Sequence, residues 1–221
     1  MTAPPQGHAR VRIWDAPTRI FHWAIALLIP FLWWTAEEER LDLHIPAGLT
    51  MFGLILFRLL WGLVGSSTAR FVSFVKGPWT VARYLAGRAS PVIGHSPLGA
   101  FSVVAMLSAL AAQVGLGLFA SDEDGLFSGP LAHLVSYETS ETLTDWHDRL
   151  FDLLLILIGL HLAAVLFYLI VRRRNLVLPM VTGAGEGEDA AMPMRPAPAW
   201  RFWIAATIAA GAALWIGGAF A

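Results

Sequence analysis

Apolar residues collect along the chain in five stretches, roughly residues 20–36, 45–64, 98–120, 150–171 and 200–221, separated by shorter polar segments. About 20 apolar residues, rising ~1.5 Å each in a helix, cross the roughly 30 Å hydrocarbon layer of a bilayer. The pattern therefore predicts five membrane spans. The first is the shortest, but Trp23 near its start and Trp33 and Trp34 near its end supply the aromatic anchors of a bilayer surface. The acidic run Glu37-Glu38-Glu39 that follows offers no small-residue cleavage site, which argues against a removable signal.

The segments between the spans differ in character. Residues 71–87 mix Phe71, Phe74 and Trp79 with Arg83, the make-up of a short helix lying in the inner interface. Residues 121–144 are expected to form an outer loop long enough to cover a site or receive a partner. Residues 183–199, rich in Gly, Ala, Pro and acid, are expected to bury nothing and to act as a flexible linker that sets the last span apart. The chain thus divides into an inner N-terminal segment (1–19), a four-helix domain (20–182), a linker (183–199) and a fifth transmembrane helix (200–221). The fold class is all-α: an integral membrane four-helix bundle with an additional fifth transmembrane helix.

Composition agrees with lipid as the surrounding solvent. The 221 residues are 57% hydrophobic and only 14% charged, with ten Trp and thirteen Phe, more large apolar side chains than a soluble core of this size can hide. The absence of cysteine excludes disulfides, thiolate zinc sites, iron–sulfur clusters and covalently attached haem. Any redox cofactor must be held without a covalent bond, by His or Met. A net charge of −1 and the lack of a basic block give no sign of nucleic acid as a partner.

The charges are nonetheless unevenly placed. Of the fifteen Lys and Arg, only Arg40 and Arg149 fall between the first two spans or between the third and the fourth, where Glu37, Glu38, Glu39, Asp42, Asp122, Glu123, Asp124, Glu138, Glu141 and Asp145 gather; the other thirteen lie on the opposite side. Positive charge is retained on the cytoplasmic side, so the N-terminus is expected inside and, with five spans, the C-terminus outside.

Seven histidines remain to be explained. His8 lies in the N-terminal tail, His133 in the outer loop and His95 at the inner mouth of the third span. The other four lie on the spans or at their ends, where an imidazole is costly unless paired or coordinating. His44 and His147 each follow an outer acid, Asp42 and Asp145, by two residues. His22 lies fifteen residues below Glu37 and His161 sixteen below Asp145, about 22 and 24 Å deep at ~1.5 Å per residue. The four therefore form two level pairs, His44 with His147 near the outside and His22 with His161 near the inside, about 20 Å apart.

Helical phase agrees. His147 and His161 are fourteen residues apart and lie within roughly 40° of one helix face, so one face of the fourth span serves both levels. Two opposed imidazoles across a bundle supply the axial nitrogens that six-coordinate haem iron needs, and two such pairs would hold two haem b. Such ligation leaves no open iron position and disfavours oxygen chemistry. Helix-to-helix hydrogen bonding or a proton path would be the alternative use of intramembrane His. Gly48, one turn after His44, and Gly159, before His161, leave room for a macrocycle, although small residues also let helices pack closely without one. Arg58, fourteen residues after His44, and Arg19, one turn before His22, are candidate partners for haem propionates or for lipid phosphate.

Several of these residues sit in recognisable strings. Arg-Ile-Trp-Asp-Ala-Pro-Thr-Arg-Ile-Phe-His-Trp at 12–23, His44 with Gly48, Phe-Arg-Leu-Leu-Trp-Gly-Leu-Val-Gly at 57–65, Gly-His-Ser-Pro-Leu-Gly at 94–99, Trp146-His147-Asp148, Gly159-Leu160-His161 and Arg174-Asn175-Leu176 together resemble the bacterial cytochrome b561 family. That family includes the b-type cytochrome subunits of nickel–iron hydrogenases. The resemblance covers roughly residues 10–183. It implies a multi-pass di-haem b protein of the bacterial inner membrane that relays electrons and exchanges them with quinone, with His22, His44, His147 and His161 at the ligand positions.

The expected function is transmembrane electron transfer linking an external redox partner with the quinone pool, as a subunit of a membrane oxidoreductase complex. The partner would be a hydrogenase-like subunit, a c-type cytochrome or another external redox protein, drawn to the acidic outer segments. A self-sufficient quinone-linked oxidoreductase of a small external reductant such as superoxide is the alternative. A proton-linked transporter and a purely structural anchor explain the level His pairs less well.

Overall fold

The computed structural model describes residues 10–75, 77–86, 88, 96–121, 127–186 and 194–219; His8 and His95 lie outside them. Five helices are long and apolar enough to cross a membrane: α1 (Ala16–Glu37), α2 (Leu41–Val64), then, after the short α3 (Phe71–Phe74) and α4 (Pro78–Leu85), α5 (Pro97–Gly117), α6 (Tyr137–Ile170) and, after the short α7 (Val177–Thr182), α8 (Ala199–Ala219). A two-stranded antiparallel ribbon pairs β1 (Arg10–Arg12) with β2 (Ala184–Glu186), Val11 opposite Gly185.

Local chemistry sets the helix ends. Asp15 caps α1 by accepting from the Thr18 amide at 2.9 Å, with Pro17 in the first turn. The α1–α2 hairpin closes in three residues, with Glu39 at a φ of 53° and the Arg40 amide donating to the Thr35 carbonyl. Ser96 caps α5 and Ser136 caps α6.

The core lies among α1, α2, α5 and α6, where Phe21, Met51, Ile55, Leu107, Leu110 and Leu154 meet. α1 packs on α2, α2 on α5, and α5 on α6. α6 has no comparable backbone packing against α1 or α2 among the described residues. α6 nonetheless brings His147 opposite His44 of α2 and His161 opposite His22 of α1.

Three sequence expectations need correction. The interfacial helix of 71–87 is two pieces, α3 and α4: Gly77 precedes Pro78, which lacks an amide donor and disfavours helical geometry in the residue before it, so the first piece stops and a second begins. The outer loop of 121–144 ends earlier than expected, because α6 starts at Tyr137 and His147 stands ten residues inside it. Hydroxyl groups hold these extra turns onto the segment after α5: Ser140 donates to the Phe119 carbonyl at 2.6 Å and Thr144 to the Ser121 carbonyl at 3.1 Å.

The third correction concerns 183–199 and the fifth span. Residues 184–186 form β2, Met194 is buried, the Met194 amide donates to the Arg12 carbonyl, and Arg195 and Ser67 exchange bonds of 2.9 and 3.0 Å. Both described ends of this segment are therefore pinned to the N-terminus and to the end of α2. α8 is not set apart but packs along α2, burying Ala205 and Ala209. A Cβ built on Gly53 would stand 3.4 Å from that of Ala213, and Phe202 closes edge-on over Trp61. Small residues let two apolar helices approach closely in lipid, where no hydrophobic drive would otherwise join them.

Candidate functional site

Two helix faces build the site. On α6, His147, Leu154 and His161 recur every seven residues, and Leu154 is only 2% exposed, so this face points into the bundle. On α2 the same interval carries His44, Met51 and Arg58, with Met51 1% and Arg58 3% exposed. α1 contributes His22 beside the core residue Phe21.

The four histidines meet as two pairs. The ring centroids of His44 and His147 are 6.3 Å apart with planes at 78°, and those of His22 and His161 are 6.3 Å apart with planes at 54°. Neither pair is in mutual hydrogen-bond contact. A metal–imidazole bond of about 2 Å at each end, with roughly another 1.1 Å from nitrogen to ring centre, separates the centroids of two trans imidazoles by about 6 Å. Both pairs have the span of an axial ligand set. No group of three or more His, Cys, Asp or Glu able to hold a metal occurs among the described residues.

The outer pair is held from behind. His147 Nδ1 lies 2.9 Å from the Gln113 carbonyl, and His44 Nδ1 lies 3.1 Å from both the Leu32 carbonyl and Thr35 Oγ1. A carbonyl can only accept, so both Nδ1 atoms carry the proton and both Nε2 lone pairs are left for a ligand. At the inner pair, His22 Nδ1 is buried without a partner.

Room for a flat group is present beside the rings. A Cβ added to Gly48, one turn after His44, would meet nothing within 4 Å, whereas one on Gly117 would come within 2.9 Å of His147 Cε1; Gly159, two residues before His161, is exposed on nearly the opposite face of α6 and offers no space beside the rings. Arg58 lies over the Phe71 ring at 5.0 Å, and its Nη1 is buried without a partner. The Asp15 carboxylate acts on this guanidinium through its charge, and the unmet Nη1 donor leaves room for a further acidic group. Arg19 is more engaged: its Nη1 donates to the Val181 carbonyl, while its buried Nε has no hydrogen-bond partner. The residues present thus fit haem: paired imidazoles at the separation two such ligands need, open space beside Gly48, and unsatisfied guanidinium nitrogen for an acidic edge.

The structure brings together each sequence-selected histidine with its expected partner. Thr35, the Gln113 carbonyl and Gly117 escape the sequence reading. Thr35 is the single hydroxyl in the outer half of α1, which is a weak signal, and a backbone carbonyl gives none.

Comparison with known proteins follows the same outline. Residues 13–183 match the family described as prokaryotic cytochrome b561. A probable Ni/Fe-hydrogenase B-type cytochrome subunit of Azotobacter chroococcum mcd 1 is 25% identical over 209 residues, covering 78% of this chain and 87% of that protein. No solved structure matches.

Proposed function

The chain belongs to the prokaryotic cytochrome b561 family, multi-pass haem b proteins of transmembrane electron transfer, and from that premise we propose that it carries two haem b, one held by His44 and His147 and the other by His22 and His161. The observation that carries this reading is the equal 6.3 Å separation of two His pairs at opposite ends of one helix face. Bound haem iron would supply reversible one-electron chemistry at each level.

The protein's own residues do the rest. His147 and His161, fourteen residues apart on α6, set the two levels about 21 Å apart along the membrane normal, so electrons cross without movement of the chain. Leu154, Met51 and Phe21 fill the space between and keep it dry. Arg58 and Arg19 offer guanidinium nitrogen to haem propionates, and Gly48 keeps the helix surface low beside His44.

At the outer end, Glu37, Glu38, Glu39, Asp42, Glu141 and Asp145 are exposed and surround the His44–His147 level, a surface suited to a basic docking face. The relative from Azotobacter favours a hydrogenase-type subunit as that partner, and quinone is the acceptor or donor within the membrane. The Lys and Arg distribution supports an N-terminus in the cytoplasm and a C-terminus in the periplasm of the inner membrane. The direct test is the pigment of the purified chain: two haem b per polypeptide with a b-type reduced-minus-oxidised spectrum is expected, and a colourless protein that stays colourless with added haem would end the proposal.

A further inference from the structure

The two His pairs are not equivalent. Behind the outer pair stand three oxygen acceptors, the Gln113 carbonyl, the Leu32 carbonyl and Thr35 Oγ1, at 2.9 to 3.1 Å from the two Nδ1 atoms. Thr35 is fully buried and itself donates to the Leu32 carbonyl at 2.9 Å. Its hydroxyl proton is thus spoken for, and the oxygen can act toward His44 only as an acceptor. At the inner pair, His22 Nδ1 is buried with no hydrogen-bond partner, and Arg58, about 21 Å deeper along α2 than His44, has the charge of the Asp15 carboxylate acting on it.

We propose that Thr35 is a positioning residue that locks His44 in the Nδ1–H tautomer facing His147, and that the hydrogen bonding behind this pair makes the outer haem the lower-potential one of the two. This rests on the haem reading above. An imidazole whose N–H is bonded to oxygen is a stronger electron donor at its other nitrogen, and it stabilises the more positive, oxidised iron. His22 Nδ1 lacks that bond, so the inner haem keeps the higher potential.

Redox titration of the full chain in lipid nanodiscs with its native haem, followed at the b-type absorbance, tests this with Thr35→Ala and Thr35→Ser. The wild-type protein is expected to show two midpoints. Thr35→Ala should raise only the lower one, increasing the reduced-to-oxidised ratio of that haem about threefold to tenfold at the wild-type midpoint, at most ~59 mV for one electron. Thr35→Ser, which restores the acceptor, should keep both midpoints. The inference fails if Thr35→Ala leaves both midpoints in place or moves the higher one, or if Thr35→Ser shifts as far as Thr35→Ala. Should Thr35→Ala lose one haem outright, Thr35→Ser decides: two haems at wild-type midpoints support the role, and loss there too overturns it. A wild-type chain without haem would instead remove the reading on which the inference stands.

Discussion

Trp61 donates its indole N–H to Asp15 Oδ2 at 2.9 Å, while the other oxygen of the same buried carboxylate caps α1 through the Thr18 amide. One side chain thus fixes the start of the helix that carries His22 against the end of the helix that carries His44 and Arg58. Replacing Asp15 by Ala removes a cap, usually worth about 1 kcal/mol, and a hydrogen bond to a charged group, about 1.5 to 3 kcal/mol. Thermal unfolding in detergent should register a clear drop in Tm for Asp15→Ala and a smaller one for Asp15→Asn, which keeps a capping oxygen. Equal Tm values for all three proteins would show that the carboxylate does not tie these helices.

His161→Ala tests the independence of the levels. His161 shares α6 with His147 but faces a different helix, so haem content should fall from two to one per chain while the outer pair keeps its pigment. Haem extraction with pyridine gives the count. Retention of both haems would refute the assignment of His161.

Two glycines near the outer pair should behave in opposite ways. A Cβ at 117 would press on His147 at 2.9 Å, well inside van der Waals contact. Gly117→Ala should therefore shift the ring and cost about 1 to 3 kcal/mol whether or not haem is present. At Gly48 the added atom meets open space. Gly48→Phe should leave the haem-free fold intact by size-exclusion profile and helical circular dichroism, yet lose one haem because the new ring fills the macrocycle's place. Full haem content in Gly48→Phe would argue that nothing lies beside Gly48.

Arg58 separates the stability of the fold from the retention of haem. Burying a guanidinium whose Nη1 has no hydrogen-bond partner is costly, and the nearby Asp15 carboxylate offsets part of that cost, so Arg58→Met should leave the haem-free chain about as stable. If Arg58 meets a propionate, the same change should weaken retention of one haem about 10- to 100-fold, the usual effect of removing a supporting contact at a metal site. Competition of bound haem with apomyoglobin reads out the second effect and thermal unfolding the first. A variant that is less stable without haem and unchanged with it would assign Arg58 a purely structural part.

How much of this could be read in the sequence depends on what kind of interaction each residue makes. His147 and His161 announce themselves because an α-helix returns to nearly the same face after fourteen residues, and the inward-facing, buried Leu154 midway between them obeys the same period. His44, Met51 and Arg58 do so on α2. Arg19 was selected by the same logic, yet α7 folds back and takes one of its nitrogens at the Val181 carbonyl, 162 positions away, which no helical period can foretell. The pinning of Met194 and Arg195 to Arg12 and Ser67 runs mainly through backbone groups that every residue possesses, so composition alone suggested a loose tether.

The order of apolar and polar residues determined the number of crossings, the depth of each imidazole and the face on which it stands, because rise and phase per residue are fixed by helix geometry. Only the tertiary structure decided which helices touch: that the α6 backbone lies close to α5 and reaches α1 and α2 through side chains, that α8 lies along α2, and that oxygen acceptors meet the Nδ1 atoms of the outer pair and not that of His22. Those choices rest on side-chain packing and on carbonyl groups brought together from distant parts of the chain. Neither leaves a periodic trace in the order of the residues.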